Sequence, residues 1–311
     1  MRIERMESDQ LPAFIEYCQR YGPEHDESFL PGDKFQPNDN NPTYLLLDEQ
    51  DDIIGVASLM LSPEYRAAKK GRFRIFHVVE PSVDSYQMLL DAIIPHTMGL
   101  NNIYLFIPES RTQVGKIFRE MEFKIQRYAW ILARSLEGTI KPDFSDNYDL
   151  STLQKGKDED TWCQIINENF ADSPGHIELT TDALESTRNE QGYLEDGMMI
   201  LRKKGKAIGT VKVEEEREHG EKVAFISQIS VLPQYRGRGL GKNLLRAGMD
   251  FAKESGYQRA ILTVNSKNWR AADLYLNEGF NKIDISVCYN KVVTIADDEI
   301  KMEKTALKSS Y

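Results

Sequence analysis

Three glycines at alternate positions, Gly237, Gly239 and Gly241, lie between an apolar run ending in Gln228-Ile229-Ser230-Val231 and an amphipathic run that begins at Leu240. The order predicts a strand, a turn bare of side chains, and a helix. Glycine enters left-handed backbone conformations without a Cβ penalty. A turn of bare N–H groups that leads into a helix N-terminus is a site for an anion such as a pyrophosphate. Arg236 and Arg238 bring positive charge to the turn, and Lys242 brings it to the first helical turn. The spacing excludes the common nucleotide fingerprints. A dinucleotide turn needs Gly-x-Gly-x-x-Gly, and the last slot here holds Lys242; a P-loop needs Gly and Ser or Thr where this chain has Arg236 and Asn243.

A second pattern follows downstream. Residues 259–264 read as a buried strand. The run Asn268-x-x-Ala271-x-x-Leu274-Tyr275-x-x-x-Gly279-Phe280 reads as a helix with Ala271, Leu274 and Tyr275 on one face and Gly279 as its stop. Together with Val-x-Pro-x-x-Arg-Gly-x-Gly-x-Gly after a strand, this resembles the acyl-CoA site of the GNAT superfamily of N-acyltransferases, over residues from about 145 to 307.

The resemblance implies an α/β fold of mixed α+β type, a mostly antiparallel sheet flanked by helices. It also implies acetyl-CoA as cofactor and acyl donor, held by main chain over Arg236, Gly237, Arg238, Gly239, Leu240, Gly241 and Lys242. The pantetheine arm is then expected along Ile229, Ser230 and Val231, bordered by Asn268 and Ala271, with an N–H near Ile229–Ser230 polarising the thioester carbonyl. Tyr275 is the expected acid for the departing thiolate, with Ser266 or Asn268 placing a water.

The chain has 311 residues, long for one domain and comfortable for two, and its 41% apolar fraction can build real cores. The first half repeats the order of the second, which predicts two tandem GNAT folds: a degenerate one over 1–140 and an active one over 146–311, joined by Lys141-Pro142-Asp143-Phe144-Ser145. The expected strands of the second domain include 199–203, 207–214, 223–231, 282–293 and 300–307; its expected helices include 158–170 and 181–193. Matching Val79-x-Pro81 to Val231-x-Pro233 puts Asp84 at the place of Arg236, Ser85 and Gln87 at Gly237 and Gly239, and Leu89 at Gly241. Phe118 stands where the tyrosine should be, Arg111 where the asparagine should be, and Glu122-Phe123 where Gly279-Phe280 should be. A carboxylate and three side chains are thus expected to occupy the space a pyrophosphate needs, so the first copy is expected neither to bind acyl-CoA conventionally nor to catalyse transfer, and to serve as a structural partner or as a wall of the acceptor pocket.

The net charge of −10 is spread along the chain with no basic stripe, which argues against nucleic acid. Cys18, Cys163 and Cys288 are far apart and suggest reduced thiols and no metal site. No signal-like segment and no run of the ~20 apolar residues that a membrane helix needs is present, so a cytoplasmic protein without membrane partner is expected, as monomer or homodimer. The acceptor is expected to be a small-molecule or peptide amine, read by Asn167-Glu168-Asn169-Phe170-Ala171-Asp172-Ser173-Pro174-Gly175-His176. That segment and the tandem arrangement are similar to the mycothiol-synthase branch, which acylates an amine on a sugar-linked cysteine; the similarity is short and does not transfer the substrate.

The base that deprotonates the amine stays open. Positions where some family members carry a basic side chain are Phe225 and Ser227, while Glu214, Glu216 and Glu221 read as a solvated turn, and a water chain would serve equally. His176 reads as an ordinary loop histidine. A non-catalytic acyl-CoA-binding sensor, in which Tyr275 merely packs, is the competing reading.

Overall fold

The computed structural model describes residues 1–32, 35–145, 147–173, 175–189, 192–218 and 221–293. The expected turn at His219-Gly220, the strand at 300–307 with its connection through Ala296-Asp297-Asp298, and Pro174 lie outside those residues. The strands are β1 (Arg2–Arg5), β2 (Thr43–Leu47), β3 (Ile53–Met60), β4 (Lys70–Val78), β5 (Asn102–Pro108), β6 (Lys124–Ser135), β7 (Tyr148–Thr152), β8 (Met198–Lys203), β9 (Lys206–Glu218), β10 (Glu221–Val231), β11 (Arg259–Asn265) and β12 (Asn281–Val292). The helices are α1 (Leu11–Arg20), α2 (Pro63–Ala67), α3 (Val83–Ile93), α4 (Thr112–Glu120), α5 (Glu159–Phe170), α6 (Thr181–Ser186), α7 (Leu240–Glu254) and α8 (Trp269–Asn277).

The chain divides into two compact units, Met1–Arg127 with Ser286–Tyr311, and Tyr128–Ile285. Neither boundary falls at the expected linker 141–145. The cause is an exchange of closing strands. Ser286 to Val292 of β12 registers antiparallel with Pro108 to Asn102 of β5, so the last described strand of the chain completes the first unit. Ala129 to Ser135 of β6 registers antiparallel with Asn265 to Arg259 of β11 and completes the second. Each unit holds one parallel pair, β4 with β5 and β10 with β11, in an otherwise antiparallel order.

In the second unit α7 lies on β9 and β10. Its apolar positions Leu240, Leu244, Leu245, Gly248, Met249 and Ala252 recur at helical spacing and are buried against Val211, Val213 and Ile226. A Cβ on Gly248 would come within 3.2 Å of both Val211 and Ile226, so this glycine lets the helix approach the sheet. Leu244 and Leu245 are wholly buried, and each contributes about 2 kcal/mol by leaving water. The helix stops at Gly256, which takes φ 91°.

The first unit carries a buried polar set at its parallel pair. His77 of β4 receives or gives a hydrogen bond at Tyr17 Oη (2.7 Å) and meets Glu24 at 3.2 Å, and Arg111, just past β5, pairs with the same carboxylate at 2.5 Å. Burial pushes the His77 imidazole down to about 4; the Glu24 bond offsets part of that, while His25 and Arg111 oppose the charge. An unfolded histidine titrates near 6.5, so between about pH 6.5 and 4 the unfolded chain binds a proton that the folded one refuses, and stability falls as pH drops. The melting temperature is expected to decline through that window and the decline to flatten in His77→Gln. An undiminished decline in the variant contradicts the assignment.

Candidate active site

In the second unit the two parallel strands part. β10 and β11 register only at Ala224↔Ala260 and Phe225↔Ile261, although β10 runs on to Val231 and β11 to Asn265. On its far side β11 is held by β6 along its whole length. On β10 the cause is a bulge. Register with β9 shifts between Ser227 and Ser230, and Gln228 takes the left-handed φ of 51°. Such a conformation costs a non-glycine residue on the order of 1–2 kcal/mol. Two bonds hold it: Trp162 Nε1 donates to Gln228 Oε1 at 3.2 Å, and Thr210 Oγ1 donates to the Gln228 carbonyl at 3.1 Å. The facing edges of the parted strands are left for a strand-like ligand.

The glycine turn stands at the end of β10. Gly237 and Gly239 take φ of 76° and 74°, and a Cβ on either would meet no heavy atom within 4 Å. Backbone conformation thus requires glycine there, and the space in front is open. Gly239 is the N-cap of α7 and offers no side-chain oxygen, while the first four N–H groups of a helix lack partners within it. A Cβ on Gly241 would meet only Leu274, at an ordinary 3.8 Å.

The cations of the turn are placed differently from the expectation. Arg236 donates from Nε to the Val231 carbonyl (3.0 Å) and from Nη2 to Asn169 Oδ1 (2.8 Å), which ties the turn to the end of α5. Lys242 bends back to Glu278 at 3.3 Å, beside a two-pronged Arg246–Glu278 pair at 2.7 and 3.0 Å. Burial would raise the Glu278 carboxyl, but Arg246 and Lys242 together hold it below the ordinary range. Arg238 stays exposed with its guanidinium over the Tyr235 ring at 5.7 Å. Its Nη2 also donates to the Gln234 carbonyl at 3.4 Å, a long contact, whereas Arg236 and Lys242 are held by shorter bonds and an ion pair.

Of the strand residues expected along a pantetheine arm, Ile229 is half-buried. Ser230 is buried, with its hydroxyl turned to Thr210 at 2.7 Å, so only its main chain can serve a ligand. The Val231 carbonyl is already taken by Arg236. Leu240 belongs to the core and contributes main chain alone.

On α8, Asn268 caps the helix by accepting the Ala271 N–H at 3.3 Å, and Ala271 is half-buried against the core. Tyr275 lies half-buried with its ring 6.2 Å from Phe280. Among the described residues its hydroxyl has no hydrogen-bond partner, and burial pushes it up to about 12, so the proton is retained near neutral pH.

The expected acceptor segment is largely occupied by its own fold. Asn167 exchanges two bonds with the Leu179 backbone, Asn169 holds Arg236, and His176 stacks on Phe170. The solvated acid-rich turn is corrected at Glu214, which lies in mid-strand on β9 directly across from Phe225 and pairs with the buried Lys212 at 2.6 Å. Among the described residues there is no membrane-length apolar helix and no metal-ligating cluster; the three cysteines are buried and free.

The first unit has a similar frame without the glycine turn. β4 and β5 also part, after Arg72↔Tyr104. Yet α3 starts at Val83, two residues past Pro81, whereas α7 starts at Leu240, seven past Pro233. Ser82 caps α3 by accepting the Ser85 N–H at 3.1 Å, and Asp84 sits in the first turn. The turn itself is missing, so Ser85 and Leu89 are buried core positions and do not fill an anion pocket as expected. Phe118 is the seventh residue of α4, as Tyr275 is of α8, and is wholly buried.

Residues 160–280 match the sequence model of the acetyltransferase (GNAT) family. The mycothiol acetyltransferase of Thermobispora bispora is 27% identical over 169 residues, 53% of this chain and 57% of that protein; that of Amycolatopsis mediterranei is 29% identical over 173 residues, 53% and 58%. The matches thus reach little more than half the length of these curated relatives. Among solved structures, a GCN5-related N-acetyltransferase from Sphaerobacter thermophilus superposes with TM-score 0.70 at 14% identity, covering 94% of this chain and 96% of that one. A tandem GNAT protein from the clavulanic acid biosynthesis pathway superposes with TM-score 0.72 at 11% identity, covering 95% and 99%. A glycine turn open in front, strands parted by a bulge and a tyrosine on the next helix accord with these matches: the chain has the tandem GNAT fold and carries, at residues 160–280, a domain of the GNAT acetyltransferase family.

Proposed function

We propose that the second unit is the catalytic site of an acyl-CoA-dependent N-acetyltransferase, which passes the acetyl group of acetyl-CoA directly to a primary amine. The observation that carries this reading is the pairing of a helix N-terminus without a side-chain cap, fronted by glycines with open space before them, with parted parallel strands. Main chain of 237–241 and the dipole of α7 receive the diphosphate, with Arg238 adding charge. The pantetheine arm runs along the free edge of β10 near Ile229 and Ser230. Acetyl-CoA supplies an activated thioester. An N–H at the bulge meets the carbonyl oxygen as it becomes negative, a contribution of about 3 kcal/mol to the barrier for one such donor. Tyr275 keeps its proton at working pH and donates it toward the departing sulfur.

The first unit, with a capped helix and a phenylalanine in place of the tyrosine, serves as a structural partner. The acceptor is an amine on a small molecule or peptide. The curated relatives named above are mycothiol acetyltransferases, which makes an amino sugar bearing a cysteinyl amine the first compound to try. Release of free thiol from acetyl-CoA, scanned over such compounds, simple amino sugars, aminoglycosides and peptide N-termini, tests the reading. Acceptor-dependent release is expected. A cofactor that raises the melting temperature with no release from any acceptor contradicts catalysis and leaves a binding module.

A further inference from the structure

The base for the amine is missing from the strand where a carboxylate would face the thioester, because β10 carries Phe225 and Ser227 there. The neighbouring strand fills the gap. On β9, Thr210, Lys212 and Glu214 point to one face, and register puts Ser230, Ser227 and Phe225 beside them in turn. Glu214 is thus the cross-strand neighbour of Phe225, at the last registered pair before β10 and β11 part. Its carboxylate leans toward the bulge. Ser227, the residue just before Gln228, donates its hydroxyl to Glu214 Oε2 at 3.0 Å, and Lys212 Nζ meets Oε1 at 2.6 Å.

The two partners fix the carboxylate without enclosing it. Lys212 is only 6% exposed and needs its counter-charge, whereas 26% of the Glu214 side chain remains open. Each carboxylate oxygen accepts more than one hydrogen bond, so both retain capacity for an ammonium. Other charges around this face are matched elsewhere. The start of α5 brings its N-cap Asp158 and its first residue Glu159, paired with Arg202 and Arg188; Glu216, next in the row, has contacts of its own; Lys222 of β10 pairs with Glu215.

Resting on the acetyltransferase reading above, we infer that Glu214 is the acceptor-side base of this site, with Lys212 and Ser227 as positioning residues. The carboxylate receives a primary ammonium and takes one N–H proton. The freed lone pair forms the C–N bond at the thioester carbon as the C–S bond breaks. Of the two protons left on nitrogen, one stays in the amide and the other reaches sulfur by way of Tyr275; the proton on Glu214 leaves to solvent through its exposed side. The acceptor class is therefore an amine that arrives charged.

Two nucleophiles of equal size separate this role from a structural one. Methylamine arrives as a cation at neutral pH and hydroxylamine arrives neutral, so only the first needs a base. In the full chain, Glu214→Gln is expected to lower acetyl transfer to methylamine about 100-fold, and to hydroxylamine at least tenfold less than that. The residual methylamine rate should climb about tenfold per pH unit, following the free amine, where the wild type is flatter. Coenzyme A affinity serves as the check on folding, and Lys212→Met/Glu214→Gln removes the stranded ammonium if the single variant is unstable. Equal loss on both nucleophiles, loss on neither, or a wild type that uses hydroxylamine but not methylamine overturns the role of Glu214 while acetyl transfer stands. A wild type silent with both overturns the reading on which the role rests.

Discussion

Tyr275→Phe is expected to lower acetyl transfer about 1,000-fold and to leave coenzyme A affinity within about twofold. The ring of Tyr275 packs beside Phe280, and phenylalanine keeps that packing. The hydroxyl has no protein partner among the described residues, so its removal strands no donor or acceptor and should not move the melting temperature. Under the proposed mechanism, what is lost is the hydroxyl that donates to the departing thiolate. Burial keeps the hydroxyl protonated, at about 12; in the proposed mechanism its donation to sulfur is completed as the amine proton follows. The first unit already carries phenylalanine at the same helix position. Initial rates against acetyl-CoA, alongside calorimetric titration with coenzyme A, separate the two effects. A variant that keeps more than about a tenth of the rate contradicts a role for Tyr275 in proton donation, because loss of a general acid costs 100-fold or more.

Gly241→Asp is expected to move stability and binding in opposite directions. The residue lies in the first turn of α7 with open space at its Cβ, 3.8 Å from Leu274. Replacing glycine in a helix with a side chain gains a few tenths of a kcal/mol, and a carboxylate near the positive end of the helix adds about 0.5 kcal/mol. The melting temperature should hold or rise slightly. A carboxylate about 4–5 Å from a diphosphate costs several kcal/mol at the effective dielectric of a protein surface, which is at least a 100-fold loss of coenzyme A affinity. The first unit carries a carboxylate at the comparable helix position, Asp84 being second in α3 as Gly241 is in α7. Coenzyme A binding that survives in Gly241→Asp would mean that the α7 N-terminus does not hold the cofactor.

The elements that could be read from sequence are those whose pattern is local. The α4 and α8 helices illustrate this: Arg111 and Asn268 are both N-caps, Phe118 and Tyr275 are both seventh in a nine-residue helix. Glu122 and Gly279 both take positive φ just past the helix end, which lets Phe123 and Phe280 fold back to Phe118 and Tyr275. Hydrophobic period and a terminal turn residue suffice for that. Glu122 manages the conformation without being glycine, with Lys291 at 3.2 Å beside its carboxylate.

What sequence could not give was pairing. Whether β12 closes against β11 or β5 depends on which strand edge is free, and nothing in its own residues states that, so the exchange of closing strands was invisible. The helix at Pro63–Ala67 is a single short turn with no period to read, and the helix expected over 181–193 is α-helical only to Ser186 and tightens to a 3-10 turn over Thr187–Asn189. The missing turn of the first unit was misread as a filled one, since residue-by-residue matching assumes equal loop lengths.

In the site, glycines betray themselves by type, but braces do not. Glu278 lies 36 residues beyond Lys242 and Asn169 lies 67 residues before Arg236, so only folding brings them together. One signal was available. The alternation Thr210-Val211-Lys212-Val213-Glu214 puts a polar or charged side chain on every second residue, which marks one face of the strand as core and sets Lys212 and Glu214 together on the other. The bulge at Gln228 left no such mark, because its left-handed backbone is imposed by Trp162 and Thr210 and not chosen by glutamine.

Calorimetric titration of the full chain with coenzyme A bears most directly on the claim that one of two similar frames retains the acyl-donor site. One equivalent per chain, abolished by Gly241→Asp and unaffected by Asp84→Ala in the first unit, is the predicted result. Two equivalents, no heat at all, or one equivalent that persists in Gly241→Asp would contradict it.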